Sequence, residues 1–399
     1  MSEQPGDGSS GRRAVRLLEV VPGRPGVAAV LEALPDALAG EGPALGIAPA
    51  GSHDHAARSR AAVTDTGGHG VDADIAVVLA TSGSTGAPRG VLLPAPALHA
   101  SAQAALARLG GPGAWTLALP VTGVGGLQVL LRALASGVEP LVLSSVGGAG
   151  PFDVAEFARL TWRLDPSLPA YTSIVPVQAA RLVDDRDGLT ALRAYEGVLL
   201  GGARTPPALL ERLRAEHVAA IPTYGMTETS GGMVYDGRPL DHVGVRILDA
   251  DAAGIGRIVL TGATLARGYL DDPELTRERL VDGAHVTSDV GRLRDGMLEV
   301  LGRVDDVVQV GGVNVAVTAV EDVLLRLCAD ACVLAEPDDT WGARLTAYVA
   351  GARATDDVLA AAVGDALGRA ATPRGWVRVA AVPHLPNGKP DREALRAGG

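Results

Sequence analysis

The sequence predicts an α/β fold: a large N-terminal domain of layered sheets and helices with a β appendage, followed by a small C-terminal α+β domain. Three observations lead there. From Pro140 to Tyr224 apolar strand-like runs alternate with helical ones, the pattern of a parallel sheet covered on both faces. Beyond Val243 the runs become short and turn-separated, as in an antiparallel sheet. At Gly302-Arg303-Val304-Asp305-Asp306 charge interrupts the β pattern, and a fresh set of strand and helix runs begins. A chain of 399 residues can fill more than one core. The boundaries expected are a disordered tail over 1–20, the large domain over 21–304 and the small domain over 305–399.

Taken in order, Pro25 to Leu38 reads as a short amphipathic helix. His53, His55 and His69 fall in a polar, Gly-rich connection where solvated side chains are expected. The apolar run Ile75 to Ala80 is a buried strand. It opens into Thr81-Ser82-Gly83-Ser84-Thr85-Gly86-Ala87-Pro88-Arg89-Gly90, around which the chain is organised. Its three glycines and four hydroxyls let many donors converge on a polyphosphate without bulky side chains in the way. Arg89 adds a permanent charge and Pro88 stiffens the loop. No Gly-Lys-[Ser/Thr] closes it, so it is not the Walker type.

Ala95 to Leu109 is Ala-rich and helical, Trp115 to Leu119 a short strand, and Leu127 to Leu134 a helix entered through the glycine turn Pro120 to Gly126. Such a turn suits close approach of a ligand or another backbone. The strands Leu141 to Leu143, Ala170 to Val175, Val198 to Leu200 and Val218 to Ile221 alternate with the helices Val154 to Leu164, Val177 to Val183 and Pro206 to His217. Ligands of such sheets gather at strand C-terminal ends, where Gly201-Gly202-Ala203 and Tyr224-Gly225-Met226-Thr227-Glu228-Thr229 stand. Tyr224 offers a face for a purine, and Glu228 a carboxylate for the magnesium that bridges nucleotide phosphates. An exposed helix-start carboxylate is the plain alternative for Glu228.

Val245 to Leu248 and Gly256 to Leu260 are β runs and Gly262 to Leu270 is a loop. Thr287-Ser288-Asp289 places a carboxylate where it could accept both hydroxyls of a ribose. Asp295-Gly296 is a hairpin signal. Beyond Asp305 the sequence predicts strands near Val307 to Val310, Cys332 and Leu345 and at Val377 to Ala381, with helices Thr318 to Leu327 and Asp356 to Ala370. Cys328 and Cys332 read as core packing, not as a disulfide or metal pair.

Composition narrows the partners. The net charge of −11 disfavours nucleic acid and anionic membranes, so anionic ligands must be held by local devices. No stretch of about eighteen apolar residues occurs, and a soluble, cytoplasmic protein is expected. Of the 35 basic residues all but Lys389 are Arg. That lysine stands in the turn Leu385-Pro386-Asn387-Gly388-Lys389-Pro390, where a compact ammonium can reach between oxygen-bearing groups that a guanidinium is too wide to enter.

With these motifs in place, the chain after residue 70 resembles the adenylate-forming superfamily of acyl-CoA synthetases, peptide-synthetase adenylation domains and luciferases. TSGSTGAPRG, YGMTET, TSDVGR, GRVDD and the terminal PNGK fall in that family's order. Within it, YGMTETSGGMVYDGRPL, YTSIVPVQ and PVTGVGGLQVL look most like the o-succinylbenzoate-CoA ligase group. Other acid-CoA ligases, carrier-protein-loading enzymes and a non-catalytic adenylate sensor are the alternatives.

The resemblance implies ATP, Mg2+ and, as co-substrate, CoA, with a small carboxylic acid as the partner molecule and a homodimer compatible. Thr81, Ser82, Gly83, Ser84, Thr85 and Gly86, with Arg89, would hold the β- and γ-phosphates. Gly202 and Tyr224 would flank adenine, Gly201, Ala203, Gly225, Met226 and Thr227 would also bind the nucleotide, and Glu228 with Thr85 would serve the metal. Asp289 would bind the ribose and Arg303 the ribose or phosphate region. Lys389 would bridge the acyl carboxylate and the α-phosphate, which with Glu228 and Arg303 completes the catalytic set. Asp305 would be the hinge of a mobile small domain and Gly312 would lie near the pantetheine tunnel. Thr122, Gly123, Gly126, Ser173 and Gly231 would line the acyl pocket. Arg89 and Gln309 replace common lysines, and Thr122-Gly123 stands where relatives carry aromatic residues or histidine, which leaves the acid open.

Overall fold

A computed structural model describes residues 11–65, 67–81, 88–148, 150–252, 254–338, 340–384 and 390–397. Residues 82–87 and Lys389 therefore lie outside the described residues, as does the side chain of Asp305.

Strand Ile75–Ala80 is apolar on both faces because both are covered, the usual reason for an unbroken apolar run. It lies inside a five-stranded sheet ordered Gly268–Tyr269, Gly90–Pro94, Ile75–Ala80, Ala44–Pro49, Val15–Val20. Gly90–Pro94 returns antiparallel to Ile75–Ala80, so the hydroxyl-rich loop is the connection of a hairpin and not a strand-to-helix passage. The expected tail is shorter than twenty residues. Val15–Val20 pairs in parallel with Ala44–Pro49, and Val20 is buried in the core. The polar, Gly-rich residues just before it hide the strand signal.

A second, seven-stranded sheet runs Arg238–Pro239, Gly231–Tyr235, Ala220–Met226, Gly197–Leu200, Ala170–Ile174, Ala114–Leu117, Leu141–Val142. Its pairings from Ala220–Met226 to Leu141–Val142 are parallel, as the alternation predicts. Helix Ala95–Leu109 has Pro96 in its first turn and ends on left-handed Gly110. Its buried residues Leu98, Ala102, Ala105 and Leu106 keep helical spacing on one face. Helix Val124–Ser136 is buried from Gly126 to Ala133. The strand that carries Tyr224 runs on through Met226, beyond Ile221 where the sequence predicts its end.

The β appendage is antiparallel, ordered Val243–Leu248, Gly256–Gly262, Ala284–Arg294, Leu280–Val281, with Met297–Arg303 also pairing Ala284–Arg294. Asp295 (φ 51°) and Gly296 (φ 75°) are both left-handed, as the tight turn between Arg294 and Met297 requires. Past the 3₁₀ turn Val304–Asp306, a separate core gathers Val310, Val320, Leu324, Val333, Leu345, Leu359 and Val363. Both cysteines are buried and free. Burial pushes the Cys332 thiol up to about 12, so it stays protonated. His53 caps the helix Asp54–Val63, its Nδ1 accepting from Ala56 N at 3.0 Å, so the expected connection is helical. Among the described residues no cluster of metal-ligating groups occurs, and no helix is long and apolar enough to cross a membrane.

Gly90 fixes the hairpin to the helix behind it. A Cβ there would sit 2.1 Å from the Ala62 carbonyl oxygen, a backbone atom that cannot rotate away. Gly90→Ala is therefore expected to destabilise the protein by about 1–3 kcal/mol, read as a lower urea midpoint with an unchanged slope.

Candidate functional site

Three carbonyl and amide contacts tie the motifs together before any side chain is considered. Segment 262–270, expected as a loop, contains the short strand Gly268–Tyr269, paired with Val91–Leu92 of the hairpin. Leu270 N donates to Gly90 O at 2.8 Å and Arg267 N to Leu92 O at 2.9 Å, while Ala266 N donates to Glu228 O at 2.8 Å. One extended segment thus spans from the base of the hydroxyl-rich loop to Glu228. The loop is closed at its mouth, where Thr81 N donates to Arg89 O at 2.8 Å and Arg89 N to Thr81 Oγ1 at 3.1 Å.

Glu228 opens a 3₁₀ turn, Thr227–Thr229, at the end of the strand that carries Tyr224. Thr229 Oγ1 accepts from Met226 N at 2.9 Å and donates to Gly231 O at 2.6 Å, while Ser230 is left-handed (φ 53°), so the backbone turns sharply behind the carboxylate. The side chain of Glu228 accepts from Tyr269 Oη at 3.0 Å on Oε1. Burial, then Glu228 itself, raises the Tyr269 hydroxyl pKa, so it remains a donor. Among the described residues no basic side chain forms an ion pair with Glu228. A half-buried carboxylate with one oxygen engaged and one open fits a divalent cation of the magnesium type.

Asp289 is 8% exposed on strand Ala284–Arg294. Its Oδ2 accepts from Tyr224 Oη at 2.7 Å and its Oδ1 faces Arg303 Nη1 at 3.4 Å. Burial, then Asp289, holds the Tyr224 hydroxyl pKa well above its usual range. Two sequence-predicted residues from separate strands, Tyr224 and Arg303, therefore converge on the carboxylate of a third. Asp289 and Arg303 are also directly paired across the strands Ala284–Arg294 and Met297–Arg303.

Gly201-Gly202-Ala203 follows the neighbouring strand Gly197–Leu200. A Cβ at Gly201 would lie 2.8 Å from Thr223 Oγ1, and Gly202 has φ 77°, so a narrow, bare-backbone ledge runs beside Tyr224. The next residue, Arg204, pairs with Asp322 of helix Val317–Leu324 in the small domain. Burial pushes the Asp322 carboxyl up to about 6 even though Arg204 pulls it down. A second cross-domain pair, Arg58 with Glu393, spans 3.8 Å.

Of the expected acyl-pocket residues, Gly123 precedes the helix Val124–Ser136 and Gly126 lies in its first turn, with no room for a Cβ (2.2 Å from Pro120 O). Gly231 (φ 117°) abuts Gln128 and Ser101 of two helices, and Ser173 is buried on strand Ala170–Ile174. Thr122 is half-buried beside Val121 and Val146 in a small surface recess. Gly312 sits at the tip of the hairpin Val307–Ala316 (φ 80°) with open space where a Cβ would point. Gln309 is exposed on the same hairpin.

Sequence reasoning missed Tyr269, whose partner is 41 positions away. It also missed His285, buried opposite Leu260, its Nδ1 unbonded among the described residues and its pKa lowered by burial. Neither residue stands in a pattern that a linear reading would single out.

Residues 40–270 match the AMP-binding enzyme family and residues 319–389 match the AMP-binding enzyme C-terminal domain. A probable 2-succinylbenzoate–CoA ligase of Mycobacterium tuberculosis is 39% identical over 389 residues, covering 94% of this chain and 96% of that protein. Tyrocidine synthase 2 of Brevibacillus parabrevis is 35% identical over 81% of this chain and 10% of its own length. Among solved structures, the amide bond synthetase McbA of Marinactinospora thermotolerans superposes with a TM-score of 0.78 at 24% identity, covering 98% of this chain and 90% of that one. The o-succinylbenzoate CoA synthetase (MenE) of Bacillus subtilis in complex with the acyl-adenylate intermediate OSB-AMP does so at 0.74 and 21%, covering 96% and 88%. The large-plus-small α/β architecture read from the motifs is that of these structures, and the chain belongs to the AMP-binding enzyme family.

Proposed function

We propose that this chain is an ATP-dependent acid-CoA ligase that works through an acyl-adenylate and forms o-succinylbenzoyl-CoA for menaquinone biosynthesis. The observation that carries the reading is the 39% identity to a probable 2-succinylbenzoate–CoA ligase across 94% of this chain and 96% of that protein. The site supports it, since Tyr224 and Arg303 meet the buried Asp289 beside a bare-backbone ledge and Glu228 is tied to the loop suited to phosphates.

A carboxylate is a poor electrophile at neutral pH, so the acid first attacks the α-phosphorus of ATP, releases pyrophosphate and becomes an adenylate with a good leaving group. A thiol then displaces AMP. In the first step two anions must be brought together. Asp289 accepts the ribose hydroxyls, oriented by Tyr224 and Arg303. The hydroxyls and amides of residues 81–86 bind the terminal phosphates, and Lys389 places its ammonium between the acyl carboxylate and the α-phosphate. Glu228 and Thr85 would hold magnesium, which when bound supplies further screening of the phosphate charge. Because the lysine and the thiol need the same face of the adenylate, the small domain turns about Asp305 between the half-reactions, and Gly312 then lies along the thiol's approach.

A second reading, an enzyme that adenylates another acid or loads a carrier protein, is favoured by the 35% identity to tyrocidine synthase 2 and by Thr122-Gly123 at the wall between the acyl and nucleotide sites. A non-catalytic adenylate sensor is opposed by the presence of both Glu228 and Lys389 in this chain.

Mass spectrometry of the product from o-succinylbenzoate, ATP and CoA should give the CoA thioester and AMP. Turnover only with other acids in a pyrophosphate-release panel would turn the assignment to the second reading. Lys389→Ala should abolish adenylate formation while thioester formation from supplied acyl-adenylate largely survives, and equal loss of both half-reactions would refute its role. Tyr269→Phe removes the hydroxyl that holds Glu228, about 0.5–1.5 kcal/mol of orientation. The magnesium concentration for half-maximal adenylation should rise severalfold, and Mn2+ affinity measured by electron paramagnetic resonance should fall in parallel.

A further inference from the structure

Helix Val317–Leu324 of the small domain offers two adjacent carboxylates to two different guanidinium groups. Glu321 is buried, and its Oε1 accepts from Arg392 Nη2 and from Val333 N, each at 2.8 Å. Asp322 faces the other way and pairs with Arg204 of the large domain. Arg204 is the residue that follows the bare-backbone ledge Gly201-Gly202-Ala203. One short helix thus links that ledge to Arg392, three positions after Lys389 in the sequence.

The chain on both sides of residues 385–389 is fixed to the small-domain core. Asp391 N donates to Pro383 O at 2.7 Å, His384 bridges Pro390, and helix Arg392–Ala397 starts at the residue held by Glu321. Glu393, in the first turn of that helix, faces Arg58 of the large domain at 3.8 Å. Arg58 belongs to helix Asp54–Val63, whose Ala62 carbonyl packs against Gly90 at the foot of the hydroxyl-rich loop. The segment after Lys389 therefore lies beside the elements that carry that loop.

The two joints between the domains are unequal. Arg58 with Glu393 is exposed and screened by solvent, so it holds weakly. The Asp322 side chain is only 17% exposed, and burial pushes its carboxyl up to about 6 against the pull of Arg204 and Arg326. Removing Arg204 would strand a partly desolvated charge, which costs more than an exposed pair returns. This seating of the small domain depends on Arg204.

We propose that Arg204 is a positioning residue for the adenylate-forming half-reaction: through Asp322, and through Glu321 and Arg392 behind it, it seats the small domain in the pose that delivers Lys389 to the nucleotide, and the joint is given up for the attack of the thiol. Arg58 assists at the second joint. The inference rests on the acid-activating reading above and adds to it the residue that biases the choice between the two poses.

The test separates the half-reactions in the full-length enzyme. Single-turnover pyrophosphate release from o-succinylbenzoate and ATP is set against thioester formation from supplied o-succinylbenzoyl-adenylate and CoA. Arg204→Asp brings two carboxylates together and should slow the first about tenfold, leaving the second unchanged or faster. Asp322→Arg should act in the same direction, and the double exchange of Arg204→Asp with Asp322→Arg should recover most of the rate. Arg58→Met should cost about twofold in the first half-reaction. Equal loss in both half-reactions, no loss in the first with Arg204→Asp, or no recovery in the double exchange overturns the proposal. A second readout needs no substrate: nitroxide labels at Glu211→Cys and Asp357→Cys, an exposed position in each domain, report the distance between the domains by pulsed electron paramagnetic resonance. The wild-type population at the separation of this structure should be depleted by Arg204→Asp and restored by the double exchange, and an unaltered distribution overturns the proposal. If wild-type protein releases no pyrophosphate with o-succinylbenzoate, the assignment of the acid fails, while the distance distribution still decides the role of Arg204.

Discussion

The separation between the hairpin that carries the hydroxyl-rich segment and Glu228 is set by one extended stretch of backbone, residues 266–270, hydrogen-bonded at one end to the hairpin and at the other to the Glu228 carbonyl. Tyr269 adds the side-chain bond to the carboxylate. Phosphoryl chemistry tolerates little error in the placing of charge, because effects of positioning fall away over about 1 Å. A glutamate on a short turn would be free to wander. Here its backbone and its carboxylate are both held by the segment that also pairs with the strand Gly90–Pro94, so a shift of one moves the other.

The second constraint is electrostatic. A chain of net charge −11 repels ATP and acids at long range, and attraction must be local. Asp289 would itself repel a nucleotide, yet it is nearly buried and faces both the Tyr224 hydroxyl and Arg303. Its charge is thereby partly neutralised while its oxygens keep lone pairs for further donors. The bare backbone at Gly201 and Gly202 serves the same economy by exposing peptide groups with no side chain to desolvate.

Between the two cores the contacts are polar. Arg58 with Glu393 is an exposed pair, and such pairs contribute little stability, whereas Arg204 meets an Asp322 carboxyl that is only 17% exposed. Arg204 immediately follows the ledge at Gly201-Gly202-Ala203, so the pair places a joint between the domains beside the expected nucleotide site.

The fold class, most helices, the parallel order of the main sheet and the motifs at its strand ends were legible in the sequence. They depend on local periodicity and turn chemistry, as at Ala95–Leu109 and Asp295-Gly296, where a few neighbouring residues settle the outcome. The strand Val15–Val20 and the helix Asp54–Val63 were not legible, since polar and Gly-rich neighbours diluted their patterns and pairing or packing with distant segments stabilised them. The sequence by itself determined which chemical groups are present and roughly where each lies along the chain. Only the tertiary structure decided that Tyr269 meets Glu228, that Tyr224 and Arg303 share Asp289, and that Arg132 is buried, because burial and partnership arise between residues tens of positions apart and leave no periodic trace in either partner.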